Sequence, residues 1–431
     1  MRFLILVDNY YPVPTIIGVL LHNVASELVN RGHVVDVLTV SNASHSDLAE
    51  KDGVRIHHVA PDYRLRMQMY AEAHEGSCAG RIARLVAGIV SKTLKIIHLN
   101  RFPLASASLA VRMSRAAEKL NDADSYDLVI ASYWPAECAQ AVVLMKKANP
   151  KLPCALFEMD HYPPIAIERF PEWIQERLLE NWVNGVYSFF DAILRLPGNE
   201  DWFSRPDVNA LSNKIRTIGI PLLASEENGD DSFHLDFDSN TGGDWVYTGS
   251  LDSGLYNPVP VIEAFLHLVG GSDRRLVFIG SSNADDSMRR YCAECEKMTS
   301  GAVTLQSYMP HDELVEVMRR AEVLVSIKSA NRISGKIFEY MGMKKPIIHF
   351  SGCEDDPDIV YLEKYPLAII VRTYQGEPDD WASQICLELP EVLNKSLGEI
   401  DFSPLRQFTP AYSADILERI AVAHGGFRNG L

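Results

Sequence analysis

The chain has 431 residues, of which 47% are hydrophobic and 23% charged, and its formal net charge is -16. Because a single hydrophobic core usually stops growing at about 250–300 residues, we expect two domains. The negative charge argues against a general nucleic-acid-binding protein, since contact with many phosphates needs a cationic surface. The sequence has no uncharged apolar run of about 18 residues, so we expect a protein that neither spans a membrane nor is secreted.

The seven cysteines are spread over the chain without the spacing of a disulfide framework. An odd number without a framework is typical of a reducing cytoplasm, so we expect free thiols and a cytoplasmic protein. Cys292 and Cys295 form a Cys-x-x-Cys motif in a polar, helix-like stretch with no second pair, and we interpret them as free thiols rather than a zinc or redox site. Asp122 and Asp124 have an Asp-x-Asp spacing but fall in a predicted turn before a strand.

Strand-like apolar runs alternate with helix-length amphipathic segments from one end of the chain to the other. This alternation is typical of parallel βαβ units and predicts an α/β fold. The first unit consists of a strand at 2–7, a helix at about 19–31 and a strand at 34–40. The loop at 8–18 is too long and too poor in glycine for a dinucleotide-binding fingerprint. A long loop after a first strand more often has a function than merely connects two elements, so it is a candidate binding loop.

Five further strands are predicted in the first half of the chain, at 54–59, 128–132, 154–159, 192–196 and 215–218. Glu158, Asp160 and His161 stand where the third of these strands ends. Ligands bind at such strand ends in open α/β sheets, so these three ionisable groups are candidate site residues. The alternative interpretation is a solvated turn before Tyr162-Pro163-Pro164.

An acidic segment separates the two halves of the chain. Residues 224–244 contain seven acidic side chains and no Lys or Arg. Such a composition cannot bury enough apolar surface to order itself, so we interpret it as a hinge or loop between domains. We therefore predict an N-terminal domain at 1–223, a C-terminal domain at 245–405 and a terminal segment at 406–431.

The second half repeats the alternation, with strands predicted at 245–248, 276–279, 303–305, 323–327, 346–348 and 368–371. Gly249-Ser250 and Gly280-Ser281 each follow a strand directly. Glycine lets a ligand approach the backbone closely. These two turns are therefore compatible with phosphate binding at the same sheet edge as Ser334.

The most informative stretch runs from Ser334 to Met341, between two apolar strands. Ser334 suits an N-cap, Gly335 allows close approach, and the first-turn amides favour an anion such as a phosphate. Lys336 and Glu339 are three residues apart and share a helical face, so an ammonium and a carboxylate project together. Phosphate and sugar hydroxyls would use both groups. The alternative is an exposed Lys–Glu pair on an ordinary capped helix.

This stretch resembles the donor-binding helix of GT-B nucleotide-sugar glycosyltransferases of family 4, with matches at Ser334, Lys336, Phe338, Glu339, Tyr340, Met341, Lys345 and Pro346. The beginning of the chain also resembles the family, with matches at Tyr11, Pro12, Gly18 and Arg31-Gly32-His33. The resemblance implies GT-B architecture: two Rossmann-like domains with parallel sheets facing a cleft, and a C-terminal helix that crosses back to the first domain. It also implies transfer of a sugar from a UDP- or GDP-linked donor, with retention of configuration and without a bound metal or other cofactor.

The resemblance assigns roles to individual residues. Glu339 would accept hydrogen bonds from the donor's ribose, Lys336 would stabilise the departing diphosphate, and His161 would contact the transferred sugar. These three are the predicted catalytic residues. The predicted donor-binding residues are Gly249, Ser250, Gly280, Ser281, Tyr308, Lys328, Arg332, Ser334, Gly335 and Glu339. The predicted acceptor-side residues are Tyr11, Ile17, Gly18, Glu158 and Asp160.

Three positions depart from the family pattern. Ser250 stands where an Arg usually neutralises the pyrophosphate, Asn331 replaces the first member of a pair of glutamates, and Ile17 replaces a glycine. The missing positive charge must then come from one of three basic residues: Lys336, Lys328 or Arg332. Two alternatives stay open. One is a nucleotide-sugar 2-epimerase of the same fold, and the other is a catalytically silent partner subunit, which the departures at Ser250 and Asn331 favour.

The segment from Arg64 to Arg101 carries seven basic residues against Glu72 and Glu75. Its net charge is therefore positive, opposite in sign to that of the whole chain. Apolar residues are interspersed with them, so this basic amphipathic segment could lie on an anionic membrane surface. A lipid-linked acceptor, as many family members use, would place the protein peripherally on the inner face of the cytoplasmic membrane, in polysaccharide or glycolipid assembly. The alternative is a core-facing helix with a solvated basic side.

Overall fold

The computed structural model divides into two compact units. One comprises Met1–Pro221 together with the segment from Pro410 onward, and the other comprises Leu222–Thr409. The structure describes residues 1–12, 14–41, 48–74, 76–158, 167, 170–197, 202, 204–223, 243–251, 254, 256–268, 274–280, 286–307, 309–329, 333–395 and 401–424, with 311 and 312 described by their backbone alone.

The described strands of the first unit are β1 (Arg2–Leu6), β2 (Val34–Val40), β3 (Glu50–Lys51), β4 (Val54–Val59), β5 (Leu128–Ser132), β6 (Cys154–Glu158), β7 (Ala192–Arg195) and β8 (Ile215–Thr217). They form one sheet in the order β3-β4-β2-β1-β5-β6-β7-β8. All neighbouring pairs are parallel except β3 and β4. The central strands are almost entirely buried, which explains why they are continuous apolar runs without alternation.

The described helices of this unit are α1 (Ile16–Asn30), α2 (Tyr63–Ala73), α3 (Cys78–Ile97), α4 (Ala107–Asp124), α5 (Ala136–Ala148), α6 (Glu172–Gly185) and α7 (Pro206–Asn209). Short 3-10 turns lie at Leu99–Arg101, Tyr187–Phe189 and Ser212–Lys214. Helices α1, α4 and α5 pack on the strands, whereas α2 and α3 pack chiefly against each other.

The described strands of the second unit are β9 (Asp244–Thr248), β10 (Arg275–Ile279), β11 (Val303–Gln306), β12 (Val323–Lys328), β13 (Ile347–Ser351) and β14 (Ala368–Arg372). Their order is β11-β10-β9-β12-β13-β14, and every neighbouring pair is parallel. The described helices are α8 (Val259–Leu268), α9 (Asp286–Met298), α10 (His311–Arg320), α11 (Gly335–Gly342), α12 (Ile359–Leu362) and α13 (Pro378–Leu393), followed by a 3-10 turn at Ser403–Phe408.

The last helix, α14 (Pro410–His424), belongs to the first unit although it follows the second in sequence. It packs on α1, where Arg31 Nη1 forms an ion pair with Asp415 Oδ1 at 2.7 Å and His33 Nε2 lies within hydrogen-bond distance of Glu418 Oε1, at 2.8 Å. The terminal helix therefore returns to the first domain, as the resemblance implied.

Two sequence-based predictions about local structure are wrong. Helix α1 begins at Ile16 rather than near Val19, because Thr15 caps it by accepting a hydrogen bond from the amide of Gly18 at 3.3 Å. The loop after β1 is therefore shorter than predicted, and Ile17 lies in the first helical turn. The Asp122-Ala123-Asp124 segment closes α4 instead of forming a turn, and Asp124 pairs with Arg2 at 2.9 Å.

Other sequence-based predictions concern the cysteines, metal sites, membrane spans and the hinge. Cys292 and Cys295 are buried free thiols on α9. Among the residues that the structure describes, no group of three or more His, Cys, Asp or Glu side chains could hold a metal ion. In the same part of the chain, no helix is both long enough and apolar enough to cross a bilayer. The predicted hinge at 224–244 lies outside the described residues except for its last two positions.

Candidate functional site

Two glycine turns and one lysine meet at the carboxyl ends of β9 and β10. Gly249 and Gly280 have φ values of 121° and 108°, a region that favours glycine. A Cβ on Gly280 would lie 2.9 Å from the carbonyl oxygen of Gly249, and a Cβ on Gly249 would lie 2.1 Å from Lys336 Nζ. The two turns are therefore stacked on each other, and the Lys336 ammonium occupies the space that any side chain at 249 would need.

Two tyrosine rings surround the Lys336 ammonium. Its Nζ donates a hydrogen bond to Tyr247 Oη at 3.1 Å and lies 4.4 Å from the centre of that ring. The ring of Tyr256 lies 5.1 Å from the same atom. Tyr247 Oη in turn donates to the carbonyl oxygen of Ser250 at 2.6 Å. The phenol of Tyr247 thus connects the first glycine turn to the ammonium.

Burial lowers the pKa of Lys336 to about 8. The negative charge of Glu339 opposes this shift and the positive charge of Lys328 adds to it. An anion entering beside Nζ would oppose the shift, because it would compensate the buried charge. Lys336 is therefore a cation that an anionic ligand would stabilise.

Tyr340 fixes α11 against the end of β9. Its buried hydroxyl accepts a hydrogen bond from the amide of Thr248 at 3.1 Å and lies 3.0 Å from Thr248 Oγ1. Thr248 immediately precedes Gly249, so the helix that carries Lys336 and Glu339 is anchored one residue before the first glycine turn. This anchor explains how a short helix holds Lys336 in place.

Ser334 occupies the N-cap position of α11, as predicted, but its hydroxyl makes no capping hydrogen bond. Its amide instead donates to Asp358 Oδ1 at 2.8 Å. The other oxygen of Asp358 lies 3.3 Å from Lys328 Nζ, and both side chains are buried. The positive charge of Lys328 is thus matched inside the unit, and a donor phosphate would compete with Asp358 for it.

A second buried pair supports the first. His349 Nε2 lies 2.8 Å from Asp356 Oδ2, and His349 Nδ1 lies 3.0 Å from Ser326 Oγ. Although burial opposes it, the hydrogen bond to His349 holds the pKa of Asp356 below its ordinary value. Asp356 Oδ1 also accepts from the amide of Asp358 at 2.9 Å, so this pair positions the carboxylate that holds Ser334 and Lys328.

The acceptor-side predictions at the start of the chain lie around α1. Tyr11 packs against His22 with the rings tilted by 57° and their centres 4.6 Å apart, and Lys51 Nζ lies 4.5 Å above the Tyr11 ring. Gly18 is buried, and a Cβ there would lie 2.4 Å from the carbonyl oxygen of Asn9. The glycine at 18 is thus needed for close packing of α1 against the loop that follows β1.

Glu158 lies at the end of β6 and is buried. Its Oε2 accepts a hydrogen bond from Tyr187 Oη at 2.5 Å, and Tyr187 Oη accepts one from Trp202 Nε1 at 3.3 Å. The carboxylate is therefore held by buried aromatic side chains.

Five of the predicted site residues fall outside the described residues: His161, Asp160, Ser281, Tyr308 and Arg332. The departure at Asn331 does so as well.

Sequence reasoning missed a pair of acids in the first unit. Asp8 follows β1, and Glu137 lies in the first turn of α5, after the neighbouring β5. Burial raises the pKa of both carboxyls, and the positive charge of Arg64 opposes the shift. Glu137 Oε1 accepts from the amide of Ser106 at 2.6 Å, whereas Asp8 Oδ1 is buried and has no hydrogen-bond partner among the described residues.

In the sheet, β2 lies on one side of β1 and β5 lies on the other, so the strand order reverses at β1. The two acids lie beside this reversal. Open α/β sheets bind ligands outside the carboxyl ends of their strands at such a point. The signal that could have found them is an acidic residue directly after the first strand. The pairing of β1 with β5, which the sequence does not specify, brings Glu137 to the same edge.

No protein-family model matches the sequence, and no curated protein matches it either. Solved structures do match it. HepE from Anabaena in complex with UDP and glucose is 13% identical, with a TM-score of 0.55 over 98% of this chain and 100% of that one. A UDP-forming α,α-trehalose-phosphate synthase from Burkholderia xenovorans, in complex with glucose-6-phosphate, is 12% identical, with a TM-score of 0.54 over 98% and 100%.

Sucrose-phosphate synthase from Thermosynechococcus elongatus is 12% identical, with a TM-score of 0.52 over 98% of this chain and 97% of that one. At these identities the likeness establishes the fold. The chain has the GT-B architecture, with one sheet of mainly parallel strands in each of two Rossmann-like domains, and the predicted fold class is confirmed.

Proposed function

We propose that this protein is a glycosyltransferase that moves a sugar from a UDP- or GDP-linked donor to an acceptor. The observation that carries the proposal is the enclosed Lys336 ammonium in contact with the Gly249 turn, beside the first turn of α11. A cation, glycine turns and helix amides together suit a diphosphate. The GT-B neighbours include a protein crystallised with UDP and glucose, which supports the same class of donor here.

In this proposal the second unit binds the donor. Lys336 and the amides around Gly335 stabilise negative charge on the departing nucleoside diphosphate, and a preorganised cation does so without reorganising during the reaction. Glu339, which interacts electrostatically with Lys336, accepts hydrogen bonds from the ribose. The turns at Gly249 and Gly280 admit the diphosphate to the backbone. Ser334 and Lys328 are then held in position by Asp358.

We further propose a retaining reaction that does not need a metal ion. The proposal of retention rests on the resemblance of the 334–346 segment to family 4. Metal independence is supported by the site's own ammonium, which can neutralise a leaving group as a divalent cation would. His161, Asp160 and the acceptor-side residues Tyr11, Ile17, Gly18 and Glu158 remain part of this proposal as the surroundings of the transferred sugar and the acceptor.

For the acceptor we propose a lipid-linked saccharide or glycolipid precursor at the inner face of an anionic membrane, in cell-surface polysaccharide or glycolipid assembly. Support comes from the segment between Arg64 and Arg101, which forms α2 and α3 and exposes both basic and large apolar side chains. Basic residues near an anionic surface contribute about 1 kcal/mol each. The rest of the chain, with its negative charge, would be repelled from that surface.

Incubation with radiolabelled nucleotide-sugars and a membrane extract tests the proposed function. We expect label to move from one UDP- or GDP-sugar into the lipid phase, and we expect Lys336→Met to abolish the transfer. A new isomer of the free nucleotide-sugar would indicate the 2-epimerase alternative. Binding of nucleotide without any turnover would indicate the silent-subunit alternative. The anomeric configuration of the intact glycosidic product, read by NMR and compared with that of the donor, would separate retention from inversion.

A further inference from the structure

An open apolar groove runs between α2 and α3 of the first unit. It has a volume of about 570 Å³. Tyr63, Met67 and Tyr70 line it from α2, and Ile82 and Val86 line it from α3. Several of the lining side chains are exposed, so the groove opens to solvent rather than lying in the core. We call it the α2–α3 groove.

The side chains around the groove are apolar yet exposed. Tyr63 is 63% exposed and Ile82 is 62% exposed. The stripe continues along α3 through Leu85, Ile89 and Ile96, at spacings of three, four and seven residues, so these side chains share one helical face. A stripe of this kind normally faces a core. A contiguous exposed apolar patch of this kind marks a contact surface for an apolar partner.

Basic residues surround the same patch. Arg66 lines the groove itself, and Arg81 and Lys92 are exposed on α3. The whole chain carries a formal charge of -16, so this local excess of positive charge is opposite in sign to the charge of the protein as a whole. An apolar slot with cations at its rim complements an anionic amphiphile, whose chain is apolar and whose head is negative.

The chemistry of the lining favours a hydrocarbon chain over a peptide. The lining offers one guanidinium and two phenols but is otherwise apolar. A peptide backbone would lose hydrogen bonds to water in such a slot, whereas a hydrocarbon chain has none to lose. The groove therefore suits an acyl or prenyl chain.

The α2 helix also connects the groove to the acidic pair described above. Arg64, in its first turn, acts electrostatically on both Asp8 and Glu137 at the strand ends. Its Nε is buried without a hydrogen-bond partner among the described residues. Tyr63 and Met67, one residue before and three after Arg64, line the groove. One helix thus presents apolar groups to the groove and a cation to the strand ends.

We propose that the α2–α3 groove binds the hydrocarbon chain of a single anionic amphiphile, with Arg66 contacting the charged head. The identification of this amphiphile with the lipid-linked acceptor rests on the proposed function. Binding in the groove does not, because it needs neither donor nor turnover.

The test uses the full-length protein and two fluorescent probes: a single-chain lysophosphatidic acid and a neutral monoacylglycerol with the same labelled chain, both below their micellar concentrations. We expect saturable binding of the anionic probe with one probe per chain. Ile82→Glu should weaken it at least tenfold, because it places a charge in the groove. Ile89→Glu, on the same exposed stripe but outside the groove lining, should leave it within twofold.

Arg66→Gln separates the contribution of the charged head of the amphiphile from that of its hydrocarbon chain. It should weaken the anionic probe several-fold and leave the neutral probe unchanged. Thermal unfolding and UDP affinity serve as folding controls for each variant, so a loss of probe binding with unchanged UDP affinity is specific to the groove. If the wild-type protein does not bind UDP, that result would count against the proposed function and would leave the groove inference standing.

Three results would overturn the inference. The first is an absence of saturable binding of the anionic probe. The second is an equal loss in Ile82→Glu and Ile89→Glu, because the stripe as a whole, facing a bilayer or a protein, would then be the contact surface. The third is binding of the wild type to anionic phosphatidylglycerol vesicles without binding of the single-chain probe, which would assign the patch to the lipid surface alone.

Discussion

Gly249 and Lys336 share one space at the edge of the second sheet: a Cβ at position 249 would lie 2.1 Å from the ammonium nitrogen. The two residues are far apart in sequence and meet because β9 pairs with β12, the strand that precedes α11. The contact brings a glycine turn and an enclosed cation together. This is the arrangement on which the proposed donor site depends.

Gly249→Ala should weaken UDP binding at least tenfold, because the added methyl group displaces the Lys336 ammonium. Isothermal titration calorimetry measures the affinity. Gly32→Ala is the matched control: Gly32 also has a positive φ, of 82°, but a Cβ there meets no atom within 4 Å. Both substitutions are strained by a positive φ, but only the one at position 249 also forces a contact with Lys336. Equal UDP affinity in the two variants would contradict this account of the turn.

UDP affinity should depend on pH through Lys336. In the free protein burial lowers the pKa of this ammonium to about 8, and a bound diphosphate favours the protonated form. Affinity should therefore stay level between pH 7 and 8 and then fall, by about tenfold per pH unit, until the pKa of the complex is reached. Titrations in buffers of different ionisation enthalpy should show proton uptake near pH 8.5. Lys336→Met should bind weakly and lose both the uptake and the pH dependence above pH 8.

Glu339→Gln should weaken UDP and GDP binding by about 1.5–3 kcal/mol, the usual loss for a hydrogen bond to a charged group. The fold should be retained, since Glu339 is only partly buried on the surface of α11. Thermal-shift titration measures both effects, and Glu363→Gln, an exposed acid of the same unit, is the control. An unchanged affinity in Glu339→Gln would remove this residue from the site.

Asp358→Asn should destabilise the second unit by about 3–5 kcal/mol, because it leaves the buried Lys328 ammonium without its partner. Asp355→Asn, an exposed acid in the same loop, should change stability by less than about 0.5 kcal/mol. Chemical denaturation measures both. Removing the two charges together, in Lys328→Met with Asp358→Asn, should recover much of the loss. If the double variant is as unstable as the sum of the single variants, the two residues do not act as a pair.

The sequence predicted the elements of the site better than its contacts. Lys336 and Glu339 could be placed on one face from their spacing, and Gly249 and Gly280 could be placed at strand ends from the strand pattern. The phenol of Tyr247, 89 residues before Lys336, could not be assigned to that ammonium, because the sequence does not specify that β9 lies beside β12. Strand order depends on long-range packing rather than on local propensity.

The same limit applies to two other groups of residues. Lys328 was expected to face the donor. Its pairing with Asp358 was not predicted, because it depends on β12 lying next to β13, the strand that precedes Asp358. Asp8 and Glu137 were missed because their proximity depends on β1 pairing with β5. The start of α1 was placed too late, since Thr15 was not recognised as its cap. Local patterns thus predicted helices and strands, whereas buried charge pairs required the tertiary structure.

The most direct test of the central claim compares UDP with uridine in the wild type and in Lys336→Ala. If the enclosed ammonium neutralises the diphosphate, the variant should lose at least tenfold in UDP affinity and less than twofold in uridine affinity, as measured by competition binding at pH 7. Equal losses for the two ligands would contradict the claim, because Lys336 would then support the fold of the unit rather than bind the phosphates.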